Sequence, residues 1–242
     1  MKSSILRTVI WIILAALALI ILTPVSLICM LFYKAEPLAK PNAVAKWIVE
    51  VPLTWFLRLG GCDYSVRGRE NIPDGPALFT GNHQGNFDVG IILSALGGYK
   101  VPVAKIEAKK VPLANLWMMM LHIIFMDRKD PRQSAECMNL AAEHLKAGHS
   151  VIIFPEGHRS KSPKMDEFKP GAFKPALKAG VPVVPFVING TYKCFEEPGR
   201  LTKAPVTVTI LPPVYPEEGE KTKALSARVQ QMIQDELDRQ SA

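Results

Sequence analysis

Ala77-Leu78-Phe79-Thr80-Gly81-Asn82-His83-Gln84-Gly85-Asn86-Phe87-Asp88 is the stretch that decides the fold, because it passes from a strand into a helix. Its first four residues are apolar and β-prone, and the turn signal Pro-Asp-Gly-Pro at 73–76 bounds them upstream. Residues 89–96, which follow, are mostly apolar and predict a buried helix. A strand that leads directly into a helix is the repeating unit of α/β proteins.

The chain beyond residue 62 repeats this alternation of short apolar runs and longer helical segments. The apolar runs are continuous, which favours a sheet that is covered on both faces. We therefore predict an α/β fold with a mostly parallel or mixed central sheet flanked by helices. The predicted strands are 63–67, 77–80, 101–104, 123–126, 151–154, 183–188 and 206–210.

Two of the helices are predicted from their apolar spacing. Asp130-Pro131 is a typical helix start, with Asp as the N-cap and Pro at the first helical position. A helical stripe follows it and ends at Gly148, and a second stripe lies near the C-terminus. The two stripes comprise Met138, Ala141, Ala142 and Leu145, and Leu225, Val229, Met232, Ile233 and Leu237.

The N-terminal segment has a different character. The 25 residues from Val9 to Tyr33 carry no charge. As a helix they would extend about 37 Å, enough to cross a bilayer core of about 30 Å. A secretory signal peptide would have a shorter apolar core and a small-residue cleavage site, so permanent membrane attachment is favoured. We therefore divide the chain into membrane-anchoring helices, 1–60, and a second domain, 61–242.

The topology of this segment stays open at the level of sequence. Basic residues flank the apolar run on both sides, so the positive-inside rule does not decide its orientation. Pro24 allows either one spanning helix or a helix broken into a shallow hairpin. The amphipathic stretch 44–59 suits an interfacial helix and a core helix equally well.

The chain has a formal net charge of +7, which suits nucleic acid, an anionic membrane surface or a phosphorylated substrate. It has no nucleic-acid recognition motif, and its aromatic residues are not interleaved with basic ones, so we expect no nucleic-acid partner. The four cysteines form no CxxC pair, which suits a reducing compartment better than a disulfide framework.

Chemically active side chains follow the predicted strands. In open α/β sheets, ligands gather at the carboxyl ends of strands, so we expect these side chains to share a site. Arg and Lys at such places suit a phosphate. Glu156 would orient an arginine or accept a hydrogen bond from a substrate hydroxyl, and Gly157 would let the backbone approach a ligand closely. The candidate site residues are His83, Asp88, Lys105, Arg128, Glu156, Gly157 and Arg159.

His83 and Asp88 are the most informative of these. An Asp in the first helical turn can hold the far nitrogen of the His ring, which gives two-thirds of a Ser-His-Asp triad. The missing nucleophile would be a hydroxyl of the substrate. The alternative is that His83 caps a turn and Asp88 caps a helix.

Other catalytic signatures do not occur in the sequence. The chain contains no GxSxG elbow, no P-loop and no GxGxxG, and its five histidines show no HExxH spacing. We therefore expect neither a serine hydrolase nor a zinc site, and no bound cofactor.

Four ordered blocks resemble the glycerolipid acyltransferases. Residues 82–88 are similar to the family's Asn-His-x4-Asp block, and 125–128 are similar to a second block that ends in Arg. Phe154-Pro155-Glu156-Gly157-His158-Arg159-Ser160 resembles the third block, usually Phe-Pro-Glu-Gly-Thr-Arg-Ser, and 181–185 is similar to the fourth. The resemblance covers roughly residues 60–215. His158 departs from the usual Thr or Ser, which suggests an altered acceptor preference or some pH sensitivity.

The resemblance implies transfer of an acyl chain from a thioester, acyl-CoA or acyl carrier protein, to the free hydroxyl of lysophosphatidic acid. The product would be phosphatidic acid for phospholipid synthesis. His83 would act as the base and Asp88 would orient it, while Arg128, Arg159 and Lys105 would hold the acceptor's phosphate. The resemblance further implies an enzyme at the cell membrane whose catalytic domain faces the cytoplasm. The methionine-rich residues 112–121 would line an acyl-chain channel or form a plain core helix.

Two alternatives remain at this stage. The acceptor of the same reaction would instead be glycerol 3-phosphate, another lysophospholipid or a lipid-linked amine. The chain would otherwise be a membrane-tethered lipid-binding module without chemistry, which leaves the His83 and Asp88 pair unexplained.

Overall fold

A computed structural model describes residues 2–31, 38 and 53–241, which form seven strands and seven α-helices. The strands are β1 (Cys62–Arg67), β2 (Leu78–Gly81), β3 (Lys100–Lys105), β4 (Ile124–Met126), β5 (Ser150–Ile153), β6 (Val183–Asn189) and β7 (Ala204–Ile210). The helices are α1 (Lys2–Leu31), α2 (53–60), α3 (Asp88–Leu96), α4 (Ala114–Met120), α5 (Pro131–Lys146), α6 (Lys174–Ala179) and α7 (Thr222–Ser241). Each of the seven predicted strands is therefore present, within two residues at either end.

The strands form one sheet in the order β1-β7-β6-β2-β5-β3-β4. Neighbouring strands are parallel except for β6 and β7, which are antiparallel. The carboxyl ends of β2 to β6 therefore meet at one edge of the sheet, together with the amino ends of β1 and β7. We call this edge the upper edge. The predicted mixed α/β sheet is confirmed.

Two apolar layers cover the sheet. Phe79 and Ile152 point into one buried layer, in which α3 and α2 pack. Leu78 and Val151 point into the opposite layer, which α5 and α7 cover. Because successive side chains of a strand point to opposite faces, a continuous apolar run serves both layers at once. This arrangement explains why the strands lack alternating polarity.

Helix α5 begins where the sequence predicts. The Asp130 side chain accepts hydrogen bonds from the backbone N–H groups of Arg132 (2.9 Å) and Gln133 (3.1 Å), and Pro131 is the first helical residue. The predicted stripes of α5 and α7 face the core, except that Met232 is only partly buried. Gly148 follows α5 with a φ of +86°, a conformation that favours glycine.

Helix α1 is long and mostly exposed. Its residues Ile5–Val25 are apolar and numerous enough to cross a membrane. Pro24 lies inside the helix, which continues to Leu31, so of the two open alternatives the structure has the continuous helix and not a break at Pro24. The first turns of α1 contact the rest of the chain, since the Trp11 indole donates to the Phe56 carbonyl (2.9 Å).

The remaining N-terminal predictions are tested only in part. Of the amphipathic stretch, residues 44–52 lie outside the described residues, and 53–59 belong to α2. In α2 the Leu57 side chain is buried whereas Trp55 is 63 % exposed. The methionine-rich stretch forms α4, in which Met119 is 48 % exposed, so α4 is not wholly a core helix. The domain boundary at residue 60 and the acyl-channel role of α4 stay predictions.

Candidate active site

The junction between β2 and α3 brings His83 and Asp88 together. The His83 Nδ1 atom lies 2.7 Å from Asp88 Oδ2. The carboxylate is fully buried, whereas the side chain of His83 is 14 % exposed. A carboxylate accepts, so Nδ1 carries the proton and Nε2 keeps its lone pair. The pair therefore has the geometry of a general base and the group that orients it.

The start of α3 holds the carboxylate in place. Asp88 Oδ2 also accepts hydrogen bonds from the backbone N–H groups of Gln84 (2.6 Å) and Gly85 (2.8 Å). Asp88 therefore holds the turn before α3 and orients His83 at the same time. These donors precede the helix, and the N-cap residue Phe87 makes no side-chain cap, so the alternative that Asp88 caps the helix is wrong.

The segment after β5 fixes the histidine from the other side. The His83 ring stacks on Phe154, with ring centroids 4.2 Å apart. The backbone N–H of His83 donates to Glu156 Oε1 (2.5 Å), and the His83 carbonyl accepts from Ser160 N–H (2.8 Å). Two separate strand ends therefore determine where His83 sits.

Glu156 holds backbone groups, which differs from the expectation that it orients an arginine or meets a substrate hydroxyl. Its side chain is buried, and its two oxygens accept from the backbone N–H groups of His83 and Asp166 (3.0 Å). Burial raises the pKa of Glu156 to about 7, although both hydrogen bonds act to lower it. Its observed contacts therefore position His83.

Gly157 is needed for a turn. Its φ is +77°, and a Cβ atom there would lie 2.8 Å from Lys169 Nζ. Its N–H donates to the Phe154 carbonyl (3.1 Å). The group that approaches the glycine in this structure is the Lys169 side chain, and the close approach of a ligand stays a prediction.

Arg159 lies beside the catalytic pair and is held by residues that the sequence reasoning missed. Its Nη1 atom donates to the Asn86 side-chain oxygen and lies 3.4 Å from Glu196 Oε1. The Glu196 side chain is only 3 % exposed, and the same oxygen accepts from Asn86 N–H (2.6 Å). Burial raises the pKa of Glu196. No local sequence pattern pointed to Glu196, because its contact with Arg159 depends on the order of strands in the sheet.

A cavity of about 300 Å³ lies between the segment after β5 and the start of α5. Phe154, which stacks on His83, forms part of its wall, whereas His83 itself does not line it. Arg128 lines this cavity together with Lys169 and Lys174, two cations that the sequence did not single out. Three cations in one cavity suit an anion.

Lys105 and His158 stand apart from these contacts. Lys105 ends β3 next to β4, and its Nζ lies 3.9 Å from Glu107 in a half-exposed ion pair. The His158 ring is exposed and its Nε2 lies 2.8 Å from Asp166 Oδ2. Both residues are at the upper edge, but their observed partners are surface carboxylates.

Buried amides brace the base of the site. The Asn82 side chain bonds the backbone N–H and carbonyl of Ile188 in β6, both at 2.8 Å. The Gln84 side-chain oxygen accepts from Gly190 N–H (2.9 Å). These amides therefore tie the β2–α3 corner to the end of β6. Within residues 2–31 and 53–241, no cluster of His, Cys, Asp and Glu is arranged to hold a metal.

The sequence of the chain matches a known family. The acyltransferase family profile covers residues 63–189, which include the His83–Asp88 pair and the segment after β5. The chain belongs to the acyltransferase family.

Relatives with related names support this assignment. A probable 1-acyl-sn-glycerol-3-phosphate acyltransferase of Mycoplasma pneumoniae is 33 % identical over 202 residues, which cover 78 % of this chain and 76 % of that protein. The chloroplastic 1-acyl-sn-glycerol-3-phosphate acyltransferase BAT2 of Brassica napus is 38 % identical over 154 residues, 62 % of this chain and 44 % of that protein. The match thus spans about half the length of BAT2 and of the Arabidopsis thaliana enzyme LPAT1 (49 %).

A solved structure shares the architecture of this acyltransferase. The crystal structure of the 1-acyl-sn-glycerophosphate acyltransferase PlsC from Thermotoga maritima superimposes with a TM-score of 0.82 at 25 % identity. The superposition covers 100 % of this chain and 97 % of that one. The predictions of the fold class and of the family are confirmed.

Proposed function

We propose that this acyltransferase moves an acyl chain from a thioester to the free hydroxyl of lysophosphatidic acid, giving phosphatidic acid in phospholipid synthesis. The observation that carries the proposal is the His83–Asp88 pair at 2.7 Å, whose histidine stacks on Phe154 in the wall of a cavity with three cations. The names of the Mycoplasma, Brassica and Thermotoga relatives support the choice of acceptor.

His83 performs the proton transfer. An alcohol attacks a thioester slowly because its high pKa keeps the hydroxyl protonated, and a protonated hydroxyl is a weak nucleophile. His83 Nε2 takes that proton while Asp88 stabilises the imidazolium that forms. The tetrahedral intermediate then collapses and its C–S bond breaks, and the departing thiolate takes up the proton from His83 to give the thiol. The acceptor hydroxyl replaces the serine of a triad, so no acyl-enzyme is required.

The cations place the acceptor. Arg128, Lys169 and Lys174 line the cavity next to the Phe154 ring, and Arg159 lies on the Asn86 side of His83. A phosphate bound by these groups brings the neighbouring hydroxyl to Nε2, which contributes through orientation rather than bond making. Glu196 holds Arg159 in position, so the guanidinium loses less side-chain entropy when the ligand binds.

The reaction needs no metal or bound cofactor, because acyl-CoA or acyl carrier protein enters as the co-substrate. The exposed apolar helix α1 attaches the enzyme to the cell membrane, and the catalytic domain faces the cytoplasm. The acceptor is a membrane lipid, so attachment keeps enzyme and acceptor at the same surface.

The test is thiol release from an acyl-CoA by the detergent-solubilised full chain, with and without lysophosphatidate. We expect acceptor-dependent release from the wild type and none from His83→Ala, which should still bind the phosphorylated acceptor. A second variant, Asp88→Asn, removes the charge of the carboxylate that orients His83. Asp74→Asn is its matched control, because Asp74 is an exposed carboxylate in the turn before β2. Glycerol 3-phosphate, another lysophospholipid and a lipid-linked amine form the acceptor panel.

The outcomes separate the alternatives. Normal turnover by His83→Ala would refute the mechanism. Release with another acceptor, and none with lysophosphatidate, would refute the acceptor while keeping the chemistry. If no acyl transfer were detected from acyl-CoA, acyl carrier protein or acyl phosphate donors to any acceptor of the panel, the alternative of a lipid-binding module without chemistry would be favoured.

A further inference from the structure

A second basic cavity runs along the edge strand β1, from Gly61 at its start to Arg69 beyond its carboxyl end. It has a volume of about 690 Å³. Four cations line it, Arg7, Arg58, Arg69 and Lys203, against the single carboxylate of Asp63. A concave surface with this excess of positive charge attracts anions.

Arg7 is built into this cavity. Its Nη2 atom donates to the Gly60 carbonyl (3.1 Å). Gly61 has a φ of +91°, and a Cβ atom at this position would collide with the Arg7 guanidinium. Arg7 Nε is buried and makes no hydrogen bond with the described residues. The chain therefore makes room for a guanidinium that keeps an unused donor.

The cavity is separate from the candidate active site. In the sheet order, β1 is three strands away from β2, which at about 4.8 Å per strand amounts to roughly 14 Å. Lys105 ends β3 and Arg128 follows β4, and both strands lie on the opposite side of β2. This cavity shares no lining residue with the one that contains Arg128, Lys169 and Lys174.

Exposed apolar side chains lie on α1 and α2, the two helices that contribute to the cavity. Leu59, at the end of α2, lines it and is 50 % exposed. Leu6, next to Arg7 in α1, is 61 % exposed, and Trp55 in α2 is 63 % exposed. Exposed apolar residues beside cations, with a tryptophan among them, are typical of a surface at the level of lipid headgroups.

We propose that this cavity binds the phosphate headgroup of an anionic phospholipid and so fixes the β1 side of the sheet against the bilayer. The exposed apolar side chains of α1 and α2 distinguish a lipid from a free phosphate, because they offer the acyl chains a surface that inorganic phosphate does not use. The proposal rests on the proposed membrane attachment and is independent of acyl transfer.

The test measures binding to the detergent-solubilised full chain by calorimetry. The probes are short-chain phosphatidylglycerol, short-chain phosphatidylcholine and inorganic phosphate. The variant R69Q/K203Q removes two exposed cations of the cavity. At about 1 kcal/mol per cation near a lipid surface, its affinity for phosphatidylglycerol should fall about 30-fold. The variant K221Q/K223Q removes two exposed lysines near the start of α7 and should bind as the wild type does.

Three results would overturn the proposal. These are unchanged phosphatidylglycerol binding by R69Q/K203Q, an equal loss in K221Q/K223Q, or inorganic phosphate binding as tightly as phosphatidylglycerol. Thiol release at saturating substrate, measured on the same preparations, shows that both variants are folded. If the wild type lacked thiol release but phosphatidylglycerol binding depended on Arg69 and Lys203, the proposed reaction would fail and this site would stand.

Discussion

Asp88→Asn isolates the charge of the buried carboxylate. The asparagine oxygen can still accept from Gln84 and Gly85, which donate to Oδ2 at 2.6 and 2.8 Å, so the turn is kept. The variant loses the negative charge opposite the imidazolium that His83 becomes during the attack. Folding should therefore survive while the chemical step slows.

The magnitude follows from the contact of 2.7 Å between His83 and Asp88. At an effective dielectric constant of about 20, two unit charges at this distance attract by about 6 kcal/mol, which is an upper bound of about four decades in rate. A charge-assisted hydrogen bond contributes about 1.5–3 kcal/mol, or about one to two decades. We therefore expect kcat to fall between about 10-fold and 10⁴-fold, with little change in the acceptor's KM.

The assay is acceptor-dependent thiol release at saturating donor, with Asp74→Asn as the control. A fall in kcat of less than about threefold would refute the role of the carboxylate, because even one charge-assisted hydrogen bond exceeds that effect. A large rise in KM at constant kcat would instead place Asp88 in acceptor binding. Thermal unfolding of both variants separates a catalytic loss from a folding defect.

Three further predictions concern the surroundings of this pair. Arg159→Ala should lower kcat/KM for lysophosphatidate by about 10-fold to 100-fold, through one lost charge-assisted contact, and an equal loss with an acceptor without phosphate would contradict this role. The pKa of Glu156 is raised from 4.5 to about 7, so its contribution to stability is greatest below pH 4.5 and is lost as the pH rises through about 7. Denaturant titrations at both ends of that range measure the free energy of unfolding of the wild type relative to Glu156→Gln. This difference should fall by about 3 kcal/mol as the pH rises, and a pH-independent difference would be inconsistent with a buried neutral carboxyl. Asp130→Ala should cost about 1 kcal/mol, and lower Tm by about 2–4 °C, without changing kcat, since it removes only the cap of α5.

The fold and the catalytic pair could be predicted from local pattern. Continuous apolar runs indicate strands covered on both faces, and the cap at Asp130 marks the start of α5. His83 and Asp88 are five positions apart across a strand-to-helix turn, so local backbone geometry is enough to bring them together. Contacts of this kind depend on neighbours in the chain and are therefore visible in its sequence.

Contacts between distant segments could not be predicted in this way. Glu196 lies 37 positions from Arg159, and no local pattern distinguishes it from the chain's other acidic residues. The sequence suggested that Glu156 meets an arginine or a substrate, whereas packing after β5 turns it onto the backbone of His83. The basic cavity likewise joins Arg7 of the membrane helix to Lys203 at the start of β7. Short-range periodicity determines which segments become strands and helices, but the order of strands in the sheet decides which charges become neighbours, because that order brings together residues far apart in the chain.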